Sequence, residues 1–376
     1  MKLIKVINFF IGSFIIYLLA FAFRCEAESK QEKAPIKVGA ILHLTGDLAA
    51  QGAAFREGIE LAAEIANKRG GLAGRRLEVI YEDTNFNTSN AHRAAKKLIE
   101  QDKIAAAIIS TFHETKTAGP LFERAGIPLI CLWDSSPEMD EMGDYIFSIG
   151  TWLPSTGQAT AEFAFKKLGT RRAAVISTNR EWSLQVGADF SENFKNLGGE
   201  TVYKDAFNPG ESDFRSLFLR IKQQRPDVLY APVDDNIAAF FKQLRQAQLN
   251  VPIIQSDSLN QEWLNNLGTV LEGVYQSQSI EPETQQAKEM AAQYRSRYGK
   301  DPTQVLFLAW GYDALNLIVR AGELQGSVSR ELKDGLYRIE GYPGAIGPIT
   351  INSKGSHRLG VSIFRIEGGE FVKVEG

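Results

Sequence analysis

The sequence predicts an α/β protein made of two doubly wound parallel-sheet lobes joined by a hinge that the chain crosses several times. Three observations carry this. Short apolar runs alternate with amphipathic segments of helical length from Ile36 to Gln255, and strand alternating with helix gives a parallel sheet covered on both faces. The alternation restarts at Ser155, after a first set that ends near Ile149, with no low-complexity linker between the two sets. From Glu283 the pattern turns helical with no sheet of its own. Such a block must pack on a sheet already formed, so the chain has to cross between lobes repeatedly, and a cleft follows.

Residues 36–42 read as a strand, Leu44-Thr45-Gly46 as a turn, and 53–67 as an amphipathic helix ended by Gly70-Gly71. A strand at 77–82 and a helix at 88–101 follow. The apolar run 104–109 is too short for a buried helix and suits a buried parallel strand. A polar loop, 110–114, leads to a helical segment, 115–124, with Ala118, Leu121 and Phe122 on one face. Pro120 suggests that regular helix begins only there, and Gly126 suits a left-handed cap. A second apolar strand, 127–132, runs into the polar loop 133–136, and 145–149 is one more strand. Both polar loops lie at carboxyl ends of strands, the edge where open α/β sheets bind small ligands.

In the second set, helices are expected at 155–168, 184–197, 213–223 and 237–246, and strands at 173–177, 201–204, 228–231 and 251–255. The late helical block comprises 284–298, 304–321 and 329–337, and short strands at 348–351, 361–366 and 371–374 close the chain.

Lys2 and Lys5 precede an apolar run over 6–23, the pattern of a secretory signal, and Cys25-Glu26-Ala27 suits a cut after Ala27. The run is also long enough to stay as a membrane anchor, whereas Arg24 disfavours lipidation at Cys25. Loss of residues 1–27 would move the net charge from −3 to −5 by removing Lys2, Lys5, Arg24 and Glu26. That balance gives no electrostatic reason to expect nucleic acid. Cys131 would then be the sole cysteine, and its apolar strand suits a small core residue. No phosphate loop, dinucleotide fingerprint, zinc-protease, nucleophile-elbow or CxxC motif occurs. His43, His92, His113 and His357 show no metal spacing. No cofactor, metal or enzymatic activity is therefore expected.

Asp234 and Asp257 follow adjacent strands of the second set. They could pair with a cation or cap the helices that begin near Asn236 and Asn260. IKVGAILHLTGDLAAQG (36–52), NKRGGLAGRRLEVIYEDTN (67–85), AGIPLICLWDSSPE (125–138), ESDFRSLFLRIKQQRPDVLYAP (211–232) and AIGPITINSKGSHR (345–358) occur in this order. With them the chain resembles type I periplasmic solute-binding proteins of the leucine/isoleucine/valine-binding family over 36 to about 366.

The resemblance implies crossovers near Ile149, Tyr275 and Ile346, hence one lobe of 36–149 and 276–346 and another of 150–275 and 347–376. It implies a periplasmic or secreted monomer that delivers a small ligand to a membrane-bound ABC permease. It places a ligand carboxylate on Phe112-His113 and Trp133-Asp134-Ser135, where amides at a helix start favour an anion. Ser135 supplies a hydroxyl, Asp257 meets an ammonium group with Asp234 beside it, and Trp182 forms an aromatic wall. Gln51 and Trp152 are further pocket candidates. An amino acid with an apolar or aromatic side chain fits this set. A carboxylate or amide without an amine, or a sensing domain docking on a membrane receptor, are the alternatives. Phe112 and His113 depart from the small hydroxyl residues of the family. Phe112 and Trp133 either line the pocket or fill the core beneath it, and Trp182 either lines it or packs under its helix.

Overall fold

The computed structural model describes residues 33–278, 284–326 and 331–374, so the expected signal segment lies outside the described residues. The first lobe runs β1 (Ile36–Leu42), α1 (Ala49–Lys68), β2 (Leu77–Asp83), α2 (Thr88–Lys97), β3 (Ala106–Ile109), α3 (Phe112–Ala125), β4 (Leu129–Cys131), β5 (Asp134–Ser135), β6 (Ile146–Ser148) and β7 (Thr151–Trp152). Its sheet has the order β2-β1-β3-β4-β6 and is parallel throughout. Alternate residues of β1 serve opposite faces, as the strand period requires. Val38, Ala40 and Leu42 join the core under α1, while Ile41 joins the one under α2 and α3. Cys131 is a fully buried core residue of β4, and burial pushes its thiol pKa up.

The second lobe runs α4 (Leu153–Glu162), β8 (Arg172–Thr178), α5 (Glu181–Asn196), β9 (Glu200–Phe207), α6 (Arg215–Gln223), β10 (Val228–Tyr230), α7 (Ile237–Gln246), β11 (Ile253–Ser256), α8 (Gln261–Leu267) and β12 (Tyr275–Gln278). α9 (Gln285–Tyr298), α10 (Val305–Gln325) and α11 (Leu332–Tyr337) then return to the first core. A small hairpin, β13 (Tyr342–Gly344) and β14 (Gly347–Ile349), follows them. β15 (Ser362–Glu367) and β16 (Glu370–Lys373) finish as antiparallel edge strands of a seven-stranded second sheet, order β16-β15-β12-β11-β10-β8-β9.

β12 belongs to the second sheet through Gln278. One crossing differs from expectation. Ile346, Ile349 and Ile351 are core residues of the first lobe, so the third crossing does not fall near Ile346. Bridges from Ser148 to Ser356 and from Thr151 to Leu359 keep the chain at the hinge until β15. The reason is apolar burial helped by one acid. Asp313 of α10, itself buried, accepts the amides of Ala345 and Ile346 at 2.9 and 2.8 Å. Burial pushes its pKa up to about 7 against those two bonds.

α10 is long and apolar enough to cross a membrane, but most of it is buried in the first core. It lies against α1 at glycines on both sides. A Cβ at Gly58 would sit 2.1 Å from the Leu308 carbonyl oxygen, and one at Gly311 2.2 Å from that of Phe55. The close approach is possible only without side chains there.

α3 begins at Phe112, not at Pro120, which lies inside it. The sequence Thr111-Phe112-His113-Glu114 is a capping arrangement. The Thr111 hydroxyl accepts the Glu114 amide at 3.3 Å, and its own proton goes to the Glu114 carboxylate at 3.0 Å. Gly126 ends the helix at φ 66°, the left-handed cap expected.

Candidate functional site

The carboxyl edge of the first sheet gathers His43 after β1, Thr84 after β2, Ser110 and Thr111 after β3, and Trp133 to Ser136 after β4. Glu114 closes this edge from below. It is fully buried and accepts the hydroxyls of Thr84, Ser110 and Thr111. His43, also fully buried, stands with Nδ1 3.9 Å from the same carboxylate and its ring 5.9 Å from that of Trp133.

The start of α3 is where a ligand carboxylate was expected. Four amides, those of Thr111, Phe112, His113 and Glu114, are free of helical partners there, and the protein occupies two. Asp134 Oδ1 accepts the Phe112 amide at 2.8 Å, and Thr111 accepts that of Glu114. Asp134 thus holds one of the amides at the expected carboxylate position. The Phe112 ring does not line a pocket either; it is a core residue beside Ala118 and Phe122. His113 is open to solvent on the first turn of α3, 5.5 Å from the ring of Phe86.

Several buried polar atoms on this wall lack partners: both ring nitrogens of His43, Gln51 Oε1, Ser135 Oγ and Ser136 Oγ. Buried polar groups are rarely left so, and these cluster at one edge. Trp133 is only partly buried, with its ring 4.8 Å from that of Phe307.

The second lobe presents Asp234 after β10, Asp257 after β11 and Trp182 in the first turn of α5. Neither acid caps a helix. Asn260 caps α8 itself, and the Asn236 side chain makes no cap bond. Asp234 has Arg180 at 3.7 Å, but that guanidinium sits nearer Asp235, at 3.0 Å. Burial raises the Asp234 pKa against Arg180. Among the described residues, nothing donates a hydrogen bond to the Asp257 carboxylate. Burial, then the charges of Asp134 and Asp234, push its pKa up to about 7. Asp134 is pushed up to about 6, by burial first; Glu114 and Glu181 add to this, and the Phe112 amide and His113 oppose it. The charges of Asp134, on the first lobe, and Asp234 thus act on Asp257.

Trp152 is held at the hinge, with Arg358 4.1 Å over its ring. Trp182 is partly exposed beside Glu181. Glu181 itself reaches across the cleft, to Lys116 at 2.7 Å and His113 at 3.4 Å. Two solvent-open hollows of about 440 and 1280 Å³ lie elsewhere, at the amino-terminal edge of the first sheet and along its β2 flank. Neither brings together the unpartnered polar atoms that mark the cleft.

Residues 35–369 match a family model described as periplasmic binding protein. The chain belongs to the periplasmic binding protein family. This binding protein is 25% identical over 357 residues to a Leu/Ile/Val-binding protein of Rhizobium johnstonii, across 91% of its own chain and 94% of the relative. It is similar to the crystal structure of a leucine binding protein from Thermotoga maritima, with TM-score 0.81, 25% identity, and coverage of 90% and 98% of the two chains. It is also similar to a solute binding protein of an ABC transporter from Rhodopseudomonas palustris in complex with 3,4-dihydroxybenzoic acid, with TM-score 0.76, 25% identity, and coverage of 90% and 96%.

Sequence reasoning missed Glu114, Lys116, Arg180 and Glu181, and set His43 aside as one of four scattered histidines. The threonine-to-glutamate spacing at 111–114 was the one available signal, since it moves the helix start forward and turns Glu114 inward.

A pH dependence follows for the binding protein without ligand. Asp257, Asp134 and Asp313 all have folded pKa values above that of an unfolded aspartate. Each therefore binds protons more tightly folded than unfolded, and its stabilising contribution is lost as pH rises from about 4 through about 7. The melting temperature of the empty protein is expected to fall between pH 5 and pH 8. Asp257→Asn should flatten that fall; an identical slope would refute the role given to Asp257.

Proposed function

We propose that the chain is an exported solute receptor that closes its two lobes over a small ligand bearing an ammonium group and hands it to an ABC importer. The Asp257 carboxylate carries this reading. Among the described residues nothing donates a hydrogen bond to it, and the charges of Asp134 and Asp234 act on it. An acid in a closing cleft must be paired or protonated, and a ligand cation is its natural partner. The names of the amino-acid-binding relatives support the same class of ligand.

In this reading Ser135, Gln51 and His43 take polar groups of the ligand, and Trp133 and Trp182 flank its apolar body. The ion pairs of Glu181 with Lys116 and His113 hold the mouth of the cleft; being exposed, they contribute weakly. Residues 1–27 act as the export signal, and the hinge divides the lobes at the crossings described above. The dihydroxybenzoate complex favours a second reading, an anionic ligand. Asp134 on the Phe112 amide opposes it here.

Native mass spectrometry of gently purified protein tests the proposal. The expected result is one small amine bound per chain, lost in Asp257→Asn. Retention of the same molecule by wild type and variant would refute the role of Asp257.

A further inference from the structure

We infer that Phe86 is a specificity-determining residue: its ring walls the β2 end of the cleft, and the apolar body of an amino acid rests against it. The inference rests on the ammonium reading above and adds the residue that measures the rest of the ligand. A backbone outlier and the placing of one ring point the same way.

Asn85 and Phe86, in the loop between β2 and α2, both have left-handed backbone, with φ 48° and 53°. Asparagine tolerates that state, but for a residue as bulky as phenylalanine it is a strained outlier. The neighbouring structure enforces it. Asp83 accepts the amides of Leu44 and Asn85 at 2.8 and 3.0 Å, and the Thr45 hydroxyl at 2.6 Å. Asn87 caps α2 by accepting the Asn90 amide at 3.1 Å, and Asn90 Nδ2 donates to the Thr84 carbonyl at 2.9 Å. Glycine or asparagine at position 86 would make the same turn at less cost. Strain of this kind collects at ligand clamps, where the side chain it aims is used.

The ring is not spent on the core. Among the described residues, Phe86 belongs to neither hydrophobic core of the first lobe, and it is only partly buried. Its ring stands edge-on to His43 at 6.0 Å and lies 5.5 Å from His113. His43 in turn is 5.9 Å from Trp133. Four rings thus run from Trp133, past buried His43, to Phe86 and then His113. At that last ring Glu181 of the second lobe arrives, 3.4 Å away. Phe86 is therefore the apolar surface between the buried end of the series and the mouth of the cleft. Its neighbour His43 is polar, with both ring nitrogens unmet. An apolar wall beside a few polar groups ranks ligands by the apolar area they bring.

Calorimetry with L-leucine and L-alanine is the test, because the two share their charges and differ only in the apolar body. Wild type is expected to bind leucine the tighter. Phe86→Asn and Phe86→Gly, which suit the turn and lack the ring, should melt close to wild type. Both should lower the leucine-to-alanine affinity ratio about tenfold, mostly by weakening leucine. Phe86→Leu should restore most of the ratio. An unchanged ratio in Phe86→Asn and Phe86→Gly, with leucine lost in Asp257→Asn, would overturn this inference and leave the ammonium reading intact. Failure of both variants to fold would also overturn it, since the ring would then belong to the framework. So would the absence of binding of either amino acid to wild type at millimolar concentration. Leucine bound equally by wild type and Asp257→Asn would overturn the reading beneath it.

Discussion

Asp257→Asn is expected to weaken ligand binding by about 2–5 kcal/mol, the usual loss when one partner of a buried charge pair is neutralised. The substitution keeps the shape of the side chain and removes only its charge. Among the described residues no group donates to that carboxylate, so no internal bond between them is broken in the ligand-free protein. The empty variant should melt no lower than wild type, and higher at pH 8, where the wild-type group is ionised against its surroundings. Affinity in wild type should rise with pH through about 7. A cation prefers the ionised acid, so binding expels the proton that Asp257 holds below that value. Calorimetry at pH 5.5 and 8 in buffers of different ionisation enthalpy reads both affinity and proton release. Proton uptake on binding, or equal affinity for wild type and variant, would rule out the ammonium contact.

Gly311→Val should destabilise the fold by about 2–4 kcal/mol, the upper range for overpacking a tight interface. A Cβ at Gly311 would lie 2.2 Å from the backbone oxygen of Phe55. That atom belongs to α1 and cannot rotate away as a side chain could. The only relief is to separate α1 from α10, and both carry the first core. Gly58 makes the reciprocal contact with Leu308, so adding Gly58→Ala to Gly311→Val should cost less than the sum of the two single changes. Gly360→Ala is the control, because nothing lies within 4 Å of its added Cβ. Urea denaturation gives the comparison; a midpoint for Gly311→Val equal to that of Gly360→Ala would refute the close crossing.

Much of the fold was legible because apolar periodicity reports burial directly. Helix 237–246 was read to the residue, and β1 likewise. The third crossing was less legible. The apolar residues at 345–351 join the first core by burial, helped by Asp313, distant in sequence, which accepts two of their amides. Local patterning cannot show which lobe a short segment joins. The site was legible in part. Asp257, Asp234, Trp133, Asp134 and Ser135 could be placed at strand ends, because that edge is fixed by topology. What could not be read was the pairing among polar groups. The sequence shows an acid at 134 and a helix near 115, but not that one accepts the first amide of the other. It shows Phe112 in a polar stretch, but not that its ring turns into the core. Those facts depend on where α3 begins, and a proline eight residues inside that helix gave the wrong boundary.

A crystal structure of the protein with its bound ligand bears most directly on the central claim, an ammonium group clasped between Asp257 and the first lobe. The ligand nitrogen is expected about 2.7–2.9 Å from an Asp257 oxygen, the distance of a charged hydrogen bond. Ser135 Oγ should meet the ligand, and Asp134 should still hold the Phe112 amide. A ligand carboxylate seated on that amide, with Asp134 turned aside and nothing against Asp257, would contradict the claim.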